Sequence, residues 1–294
     1  MKRKNNNLKI TLLLLPSLLF FGIFMIWPTL YTFYLSFFDW NMVSPNKEFV
    51  GLDNYIKLFT DSKFYSVLGQ TLIYIVILLI INFLVPYIFA FILEFLIPKF
   101  KDFFKSAYFL PSFISMVVGS MIYSWLLNPT SGPVAEIVGW FGLSIPNWTT
   151  SSNLVIFVIC LITAWKVFGY HFINLYAAIA GIDQEVIESA KLDGVGNIRM
   201  FFDIVIPMSS SAGLYVLIMT IVTGLQYVYT PISVVTQGGP DGASSNLIYE
   251  SYHNAFVTFN TGYSAAYSIV TLAIFMVLLV VLLKFSDRSV YYAN

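Results

Sequence analysis

The chain has 294 residues, of which 58% are apolar, 18% aromatic and only 10% charged, where soluble domains carry about 25% charged residues. So few charges cannot cover a water-facing surface, which excludes an ordinary soluble domain and leaves lipid as the surroundings of the surplus apolar side chains. Fifteen basic and fifteen acidic residues balance, so no overall basic field calls for nucleic acid, and the single cysteine, Cys160, excludes an internal disulfide.

A helix needs roughly 20 apolar residues to cross about 30 Å of hydrocarbon. Six stretches qualify: 10–36, 68–96, 106–127, 154–181, 209–232 and 262–285. The expected fold class is therefore all-α, a polytopic transmembrane helical bundle of about six spans. The first stretch follows Lys2, Arg3, Lys4 and Lys9. Its apolar run is too long for a signal peptide and no small-residue cleavage site follows, so a retained span is expected. Residues 1–66 form an N-terminal span and first outer loop, and residues 67–294 a transmembrane core.

Basic residues set the orientation. With the N-terminus inside, the inner segments hold Lys2, Arg3, Lys4, Lys9, Lys99, Lys101, Lys105, Lys191, Arg199, Lys284 and Arg288. The outer segments hold Lys47, Lys57 and Lys63, and Lys166 falls within a span. This bias of 11 to 3 predicts that both termini face the cytoplasm. Trp27, Trp40, Trp125 and Trp148 lie near outer ends, as interfacial aromatics do. The outer loops carry turn formers, among them Asn128-Pro129, Gly132-Pro133 and Gly238-Gly239-Pro240-Asp241-Gly242. After Pro240 an amphipathic segment sets Leu247, Ile248, Tyr252 and Phe256 against Glu250 and His253.

The inner loop between the fourth and fifth stretches differs from the rest. Asp183 is a plausible N-cap and Glu185 suits the positive end of a helix dipole. Val186, Ile187, Ala190 and Leu192 make a small apolar face. Gly194 and Gly196 break the helix, Asn197 caps a second short one, and Pro207 ends it. Apolar residues left outside the membrane (Val186, Ile187, Phe201, Phe202) want a partner surface or the lipid interface.

The segment Glu188-Ser189-Ala190, then Gly194, then Ile204, then Ile206-Pro207 resembles the EAA loop of ABC importer permeases. Two positions depart from the family pattern, Ser189 for alanine and Ile206 for leucine, both conservative in size. Gly51-Leu52-Asp53-Asn54-Tyr55, Phe109-Leu110-Pro111, Trp165 and Gly238-Gly239-Pro240 extend the likeness to the six-span members of the sugar branch, similar to maltose- and glycerol-phosphate-type permeases. The resemblance implies a type I permease fold in a bacterial or archaeal plasma membrane. It implies that the EAA loop, residues 182–207, docks on an ATPase subunit through Glu188, Ser189, Ala190, Gly194, Ile204 and Pro207. It also implies a second permease, expected to be a different chain, two ATPases, an extracellular solute-binding protein and a carbohydrate substrate.

No G-x-x-x-x-G-K-[ST] phosphate loop occurs anywhere, so ATP-Mg is expected on the partner ATPase and no cofactor or metal on this chain. Polar positions inside spans are costly in lipid and mark candidate pathways. Thr163, Lys166, Tyr170 and Asn174 share one helical face. Thr220, Thr223, Tyr227 and Thr230 share another, with Gln226 beside them. Family members line the substrate cavity from these two spans. The alternative is that the hydroxyls simply bond across helices or to backbone. Lys166 could contact substrate, pair with an acidic residue of a second permease, or snorkel, and a structural or gating pair is favoured. The shortage of other fixed cations weighs against an anionic substrate. His171 is expected to be a hydrogen-bonded packing residue and Glu94 an interfacial one.

Rival functions fare worse. A rhomboid-type, aspartyl or zinc membrane protease would need a G-x-S-G serine with a later histidine, two span aspartates, or H-E-x-x-H, and none is present. An ion-coupled transporter or channel would require acidic residues at the midplane. A permease for a non-sugar solute of the same class remains an alternative.

Overall fold

The computed structural model describes residues 2–286. Arg288, counted above among the inner charges, lies outside the described residues. In chain order the elements are α1 (Leu12–Leu35), a short ribbon of β1 (Phe38–Asp39) and β2 (Glu48–Phe49), α2 (Asp53–Thr60), α3 (Ser62–Phe95), α4 (Lys101–Phe113), α5 (Met116–Leu126), α6 (Pro133–Gly139), α7 (Val155–Ala180), α8 (Gln184–Leu192), α9 (residues 197–208), α10 (Ser210–Thr236), α11 (Leu247–Phe256) and α12 (Thr261–Ser286). α1, α3, α7, α10 and α12 are long and apolar enough to cross a membrane singly. α4 and α5 make a sixth span only as a pair, bent by 103° at their junction.

That bend corrects the single third span expected over 106–127. Pro111 offers no N–H to continue the ladder and sits in a tight 3₁₀ turn, Leu110–Phe113. Ile114 and Ser115 are then extended. Ser115 caps the next helix by accepting from Val118 N at 3.3 Å. The chain therefore stops one helix and starts another inside one apolar stretch.

The chain divides into two compact units, described separately. The first runs up to Phe64 and includes Glu250–Ile274. Its centre is the β1–β2 ribbon, antiparallel with Phe38 opposite Phe49. Asn54 Nδ2 donates to Ser36 O (2.9 Å) and Phe38 O (3.0 Å), tying α2 to the chain entering the ribbon. Phe64 and Tyr267 meet edge to face at 5.6 Å. Glu250, expected on the solvated face of an amphipathic segment, is instead buried and ion-paired with Lys63, because a buried carboxylate requires a partner.

The second unit comprises Tyr65–Tyr249 and the residues from Phe275. Its apolar side chains form two clusters along α7. One gathers Tyr74 and Leu78 of α3, Ile159 and Ile162 of α7, and Leu225 and Val228 of α10. Trp148 belongs to it, only 3% exposed and donating Nε1–H to Leu127 O at 2.9 Å, so it is a core residue rather than an interfacial one. The other gathers Tyr87 and Phe91 of α3, Phe172, Leu175 and Ile179 of α7, and Ile187, Met200, Phe201 and Val205 from the α8–α9 loop. At the break in the third span, Gly169 lets α7 touch α4: a Cβ there would stand 2.0 Å from Tyr108 O. Close backbone approach through small residues is how helices pack in lipid, where burial supplies little drive.

Candidate substrate cavity and coupling loop

α7 carries Lys166 as the twelfth of its 26 residues, about halfway along. Its ammonium does not snorkel. Nζ donates to Ser112 O at 2.9 Å and to Ile114 O at 2.5 Å, and Ser112 Oγ donates back to Lys166 O at 3.1 Å. The carbonyls closing a helix lack intrahelical donors and carry the negative end of its dipole. Lys166 satisfies such carbonyls where α4 breaks. Within this chain the groups that Lys166 binds are backbone oxygens.

The same side chain lines a cavity of about 290 Å³ with Ser112, Val167, Tyr170, Met219, Thr223 and Tyr227. Of the nine span residues singled out in the sequence, four converge there: Lys166, Tyr170, Thr223 and Tyr227. Tyr170 and Tyr215 share a hydroxyl–hydroxyl bond of 3.0 Å, and Thr223 Oγ1 donates to Met219 O at 2.5 Å. The other five do not line the cavity; Thr230 is half-buried further along α10. Thr163 and Thr220 are wholly buried and donate to the carbonyls four residues back, Ile159 O (2.9 Å) and Val216 O (2.8 Å). Asn174 Nδ2 donates to Tyr170 O at 2.7 Å, and Gln226 is exposed elsewhere on α10. Ser112 and Met219 were missed by spacing. Ser112 could have been noticed as the polar residue after Pro111, whereas Met219 carries no polar signal.

His171 is a packing residue, as expected. Its Nδ1 lies 2.9 Å from Asn82 O and 3.2 Å from Thr220 Oγ1, and the carbonyl contact places the proton on Nδ1. Asn82 sits in a π-turn, Ile80–Leu84, where the widened ladder frees a carbonyl for these side chains. Glu94 accepts from Tyr176 OH (2.7 Å) and pairs with Lys101 (2.8 Å), so it is tied down rather than freely solvated.

The α8–α9 loop is a compact hairpin. Asp183 caps α8 by accepting from Glu185 N at 3.2 Å. Gly194, at φ +72°, makes the reversal that only glycine enters without strain, and Val195 N closes back on Ala190 O at 3.0 Å. Gly196 rather than Asn197 stands at the N-cap of α9. Pro207 does not end α9, because the Met200–Val205 π-turn and the turn Ile206–Met208 carry the helix through it. Ile187, Ala190, Met200, Phe201 and Val205 are buried within this chain. Phe201 rests on Phe91 (5.1 Å) and Tyr87 (5.9 Å). Glu188, Ser189, Gly194 and Pro207 are exposed, and Ile204 is half-buried. Half of the apolar face expected to want an outside partner is thus absorbed internally. Val186, Leu192, Ile198 and Phe202 remain exposed.

The sequence model of a family described as "Binding-protein-dependent transport system inner membrane component" matches residues 99–290. The chain belongs to this family. The permease is 32% identical over 284 residues to the "Probable ABC transporter permease protein YurN" of Bacillus subtilis (strain 168), covering 96% of this chain and 97% of that one. It is 30% identical over 281 residues to the sn-glycerol-3-phosphate transport system permease protein UgpA of Escherichia coli (strain UTI89 / UPEC), covering 96% and 95%. Its fold matches a chain of a bacterial ABC transporter that imports the acidic polysaccharide alginate, with a TM-score of 0.83, 21% identity and 98% of each chain covered. A bacterial alginate ABC transporter in complex with an alginate pentasaccharide-bound periplasmic protein gives a TM-score of 0.84, with 21% identity and 98% of this chain and 96% of that one covered. The type I permease fold and the inner-membrane transport role follow from these matches together.

Proposed function

We propose that this permease carries a carbohydrate or carbohydrate derivative, through a path to which the Lys166–Tyr170–Thr223–Tyr227 cavity contributes one wall. The observation that carries the reading is the convergence of two helical stripes on that cavity, which offers hydroxyls and aromatic faces to a polyhydroxy solute. The sn-glycerol-3-phosphate named for a 30%-identical relative's transport system supports the same class. The solute is delivered by a binding protein outside the membrane. A second permease, a different chain, supplies the rest of the path. Residues 67–294 act as the permease core, with residues 1–66 appended.

Energy comes from two separate ATPase subunits that hold ATP-Mg, since this sequence has no phosphate loop. The α8–α9 hairpin is their docking handle and faces the cytoplasm, as do both termini. Its exposed Glu188 and Ser189 meet the ATPase, while Ala190 and Ile204 anchor the hairpin inward and Gly194 and Pro207 shape it. Because Ile187, Phe201 and Val205 share one apolar cluster with α3 and α7, a push on the hairpin moves those spans with it.

The test is Glu188→Lys in the assembled importer. Reversing a docking charge costs several kcal/mol of complementarity, so substrate-stimulated ATP hydrolysis should fall about tenfold or more while membrane insertion is unchanged. Hydrolysis that stays fully stimulated in that variant sinks the docking assignment.

A further inference from the structure

We propose that Lys166 makes the cavity selective for a solute bearing an oxyanion, a carboxylate or a phosphate; this deepens the carbohydrate reading above and rests on it. The sequence argument against an anionic substrate counted how few fixed cations the spans hold. In the structure the span cation Lys166 stands on the cavity wall. Lys166 is the charged member of a lining otherwise made of Ser112, Val167, Tyr170, Met219, Thr223 and Tyr227, none of which is a carboxylate.

Its own bonds leave that charge in place. Both partners, Ser112 O and Ile114 O, are neutral carbonyls. They offset part of the cost of keeping an ammonium at mid-span, but cancel no full charge as an aspartate would. An ammonium has three N–H donors, and two are committed. The third is free for a cavity ligand, in a cavity that Tyr227 also lines. Fixing Nζ by two carbonyls also preorganises it, so little side-chain entropy is lost when an anion arrives. A lysine needed only to clip the broken span would serve as well facing away from the cavity.

The arrangement can be probed with the assembled importer in detergent, in a Cys160→Ala background carrying Thr223→Cys. The labelling rate of that cysteine by an anionic sulfonatoethyl methanethiosulfonate is compared with that by its trimethylammonium counterpart. With Lys166 present the anionic reagent should be favoured. Lys166→Gln keeps donors for the two carbonyls but removes the charge, and should lower the anion-to-cation rate ratio about tenfold. Lys166→Arg should hold the ratio within about threefold, and size-exclusion chromatography checks assembly of each variant.

Protection then separates the sources. sn-Glycerol 3-phosphate, galacturonate and galactose are added in turn before labelling. Slower labelling with the phosphate or the uronate, and not with galactose, supports an oxyanion site and tells which oxyanion it takes. A ratio indifferent to Lys166→Gln, protection by galactose equal to that by either anion, or protection by neither anion overturns the proposal. None of these readings uses ATP hydrolysis. A failure here is therefore distinct from a failure of the docking assignment, which Glu188→Lys reports.

Discussion

Lys166 and His171 lie five positions apart on α7, and each resolves the cost of a polar group at depth differently. Lys166 borrows carbonyls from a broken neighbour. His171 borrows one from the π-turn of α3, where Pro86, four residues after Asn82, has no N–H to offer its carbonyl. His171→Leu would fill a similar volume but leave that carbonyl to Thr220, whose hydroxyl stands at a long 3.5 Å from it. Leaving a buried polar group underserved costs about 1–3 kcal/mol. The thermal inactivation midpoint in detergent should fall by several degrees. An unchanged midpoint would show the His171–Asn82 contact to be incidental. Spacing placed Thr163 and Thr220 on pathway faces but could not tell that they turn inward. A threonine in a helix can spend its hydroxyl on the carbonyl one turn back, and both do. That choice leaves no periodic mark.

At the scale of elements, the spans were legible because lipid demands long apolar runs, and runs of that length can be counted. The EAA hairpin was legible too, since Asp183 and Gly194 are cap and turn signals in their proper places. The break in the third span was not read, although Pro111 and Ser115 both signal it. Its stability depends on Lys166 donating across 54 positions of sequence, a pairing that hydropathy does not carry. The ribbon of β1 and β2 was missed because two-residue strands have no alternation to detect. Packing of α7 on α4 turns on Gly169. Gly169→Val would drive a side chain into the Tyr108 carbonyl, and overpacking of this kind costs about 1–3 kcal/mol or more. Such a variant should lose heat stability in detergent and the α4–α5 bend together. Replacing Gly139, which has nothing within reach of a Cβ, should do neither. Equal loss at the two glycines would mean that backbone freedom, not close approach, is what matters at Gly169.

For the whole molecule, the distribution of charge and the position of the hairpin have to agree. By the 11-to-3 bias, Lys191 and Arg199 are expected on the cytoplasmic side. These residues lie within the loop whose exposed Glu188 is assigned to the ATPase, so orientation and coupling stand or fall together. The chain has one native cysteine, and it is wholly buried, which makes single introduced cysteines clean reporters. Two exposed positions suffice: Asn41, beyond the end of β1, and Glu185, in the first turn of α8. In intact cells a membrane-impermeant maleimide should label Asn41→Cys and spare Glu185→Cys. Permeabilised cells should show both labelled. In the assembled importer Glu185→Cys should be slowed further when the ATPase subunits are present, because the hairpin then lies against protein. Labelling of Glu185→Cys from outside intact cells would invert the topology. The hairpin could then meet no ATP-driven partner, however well its residues fit the family pattern.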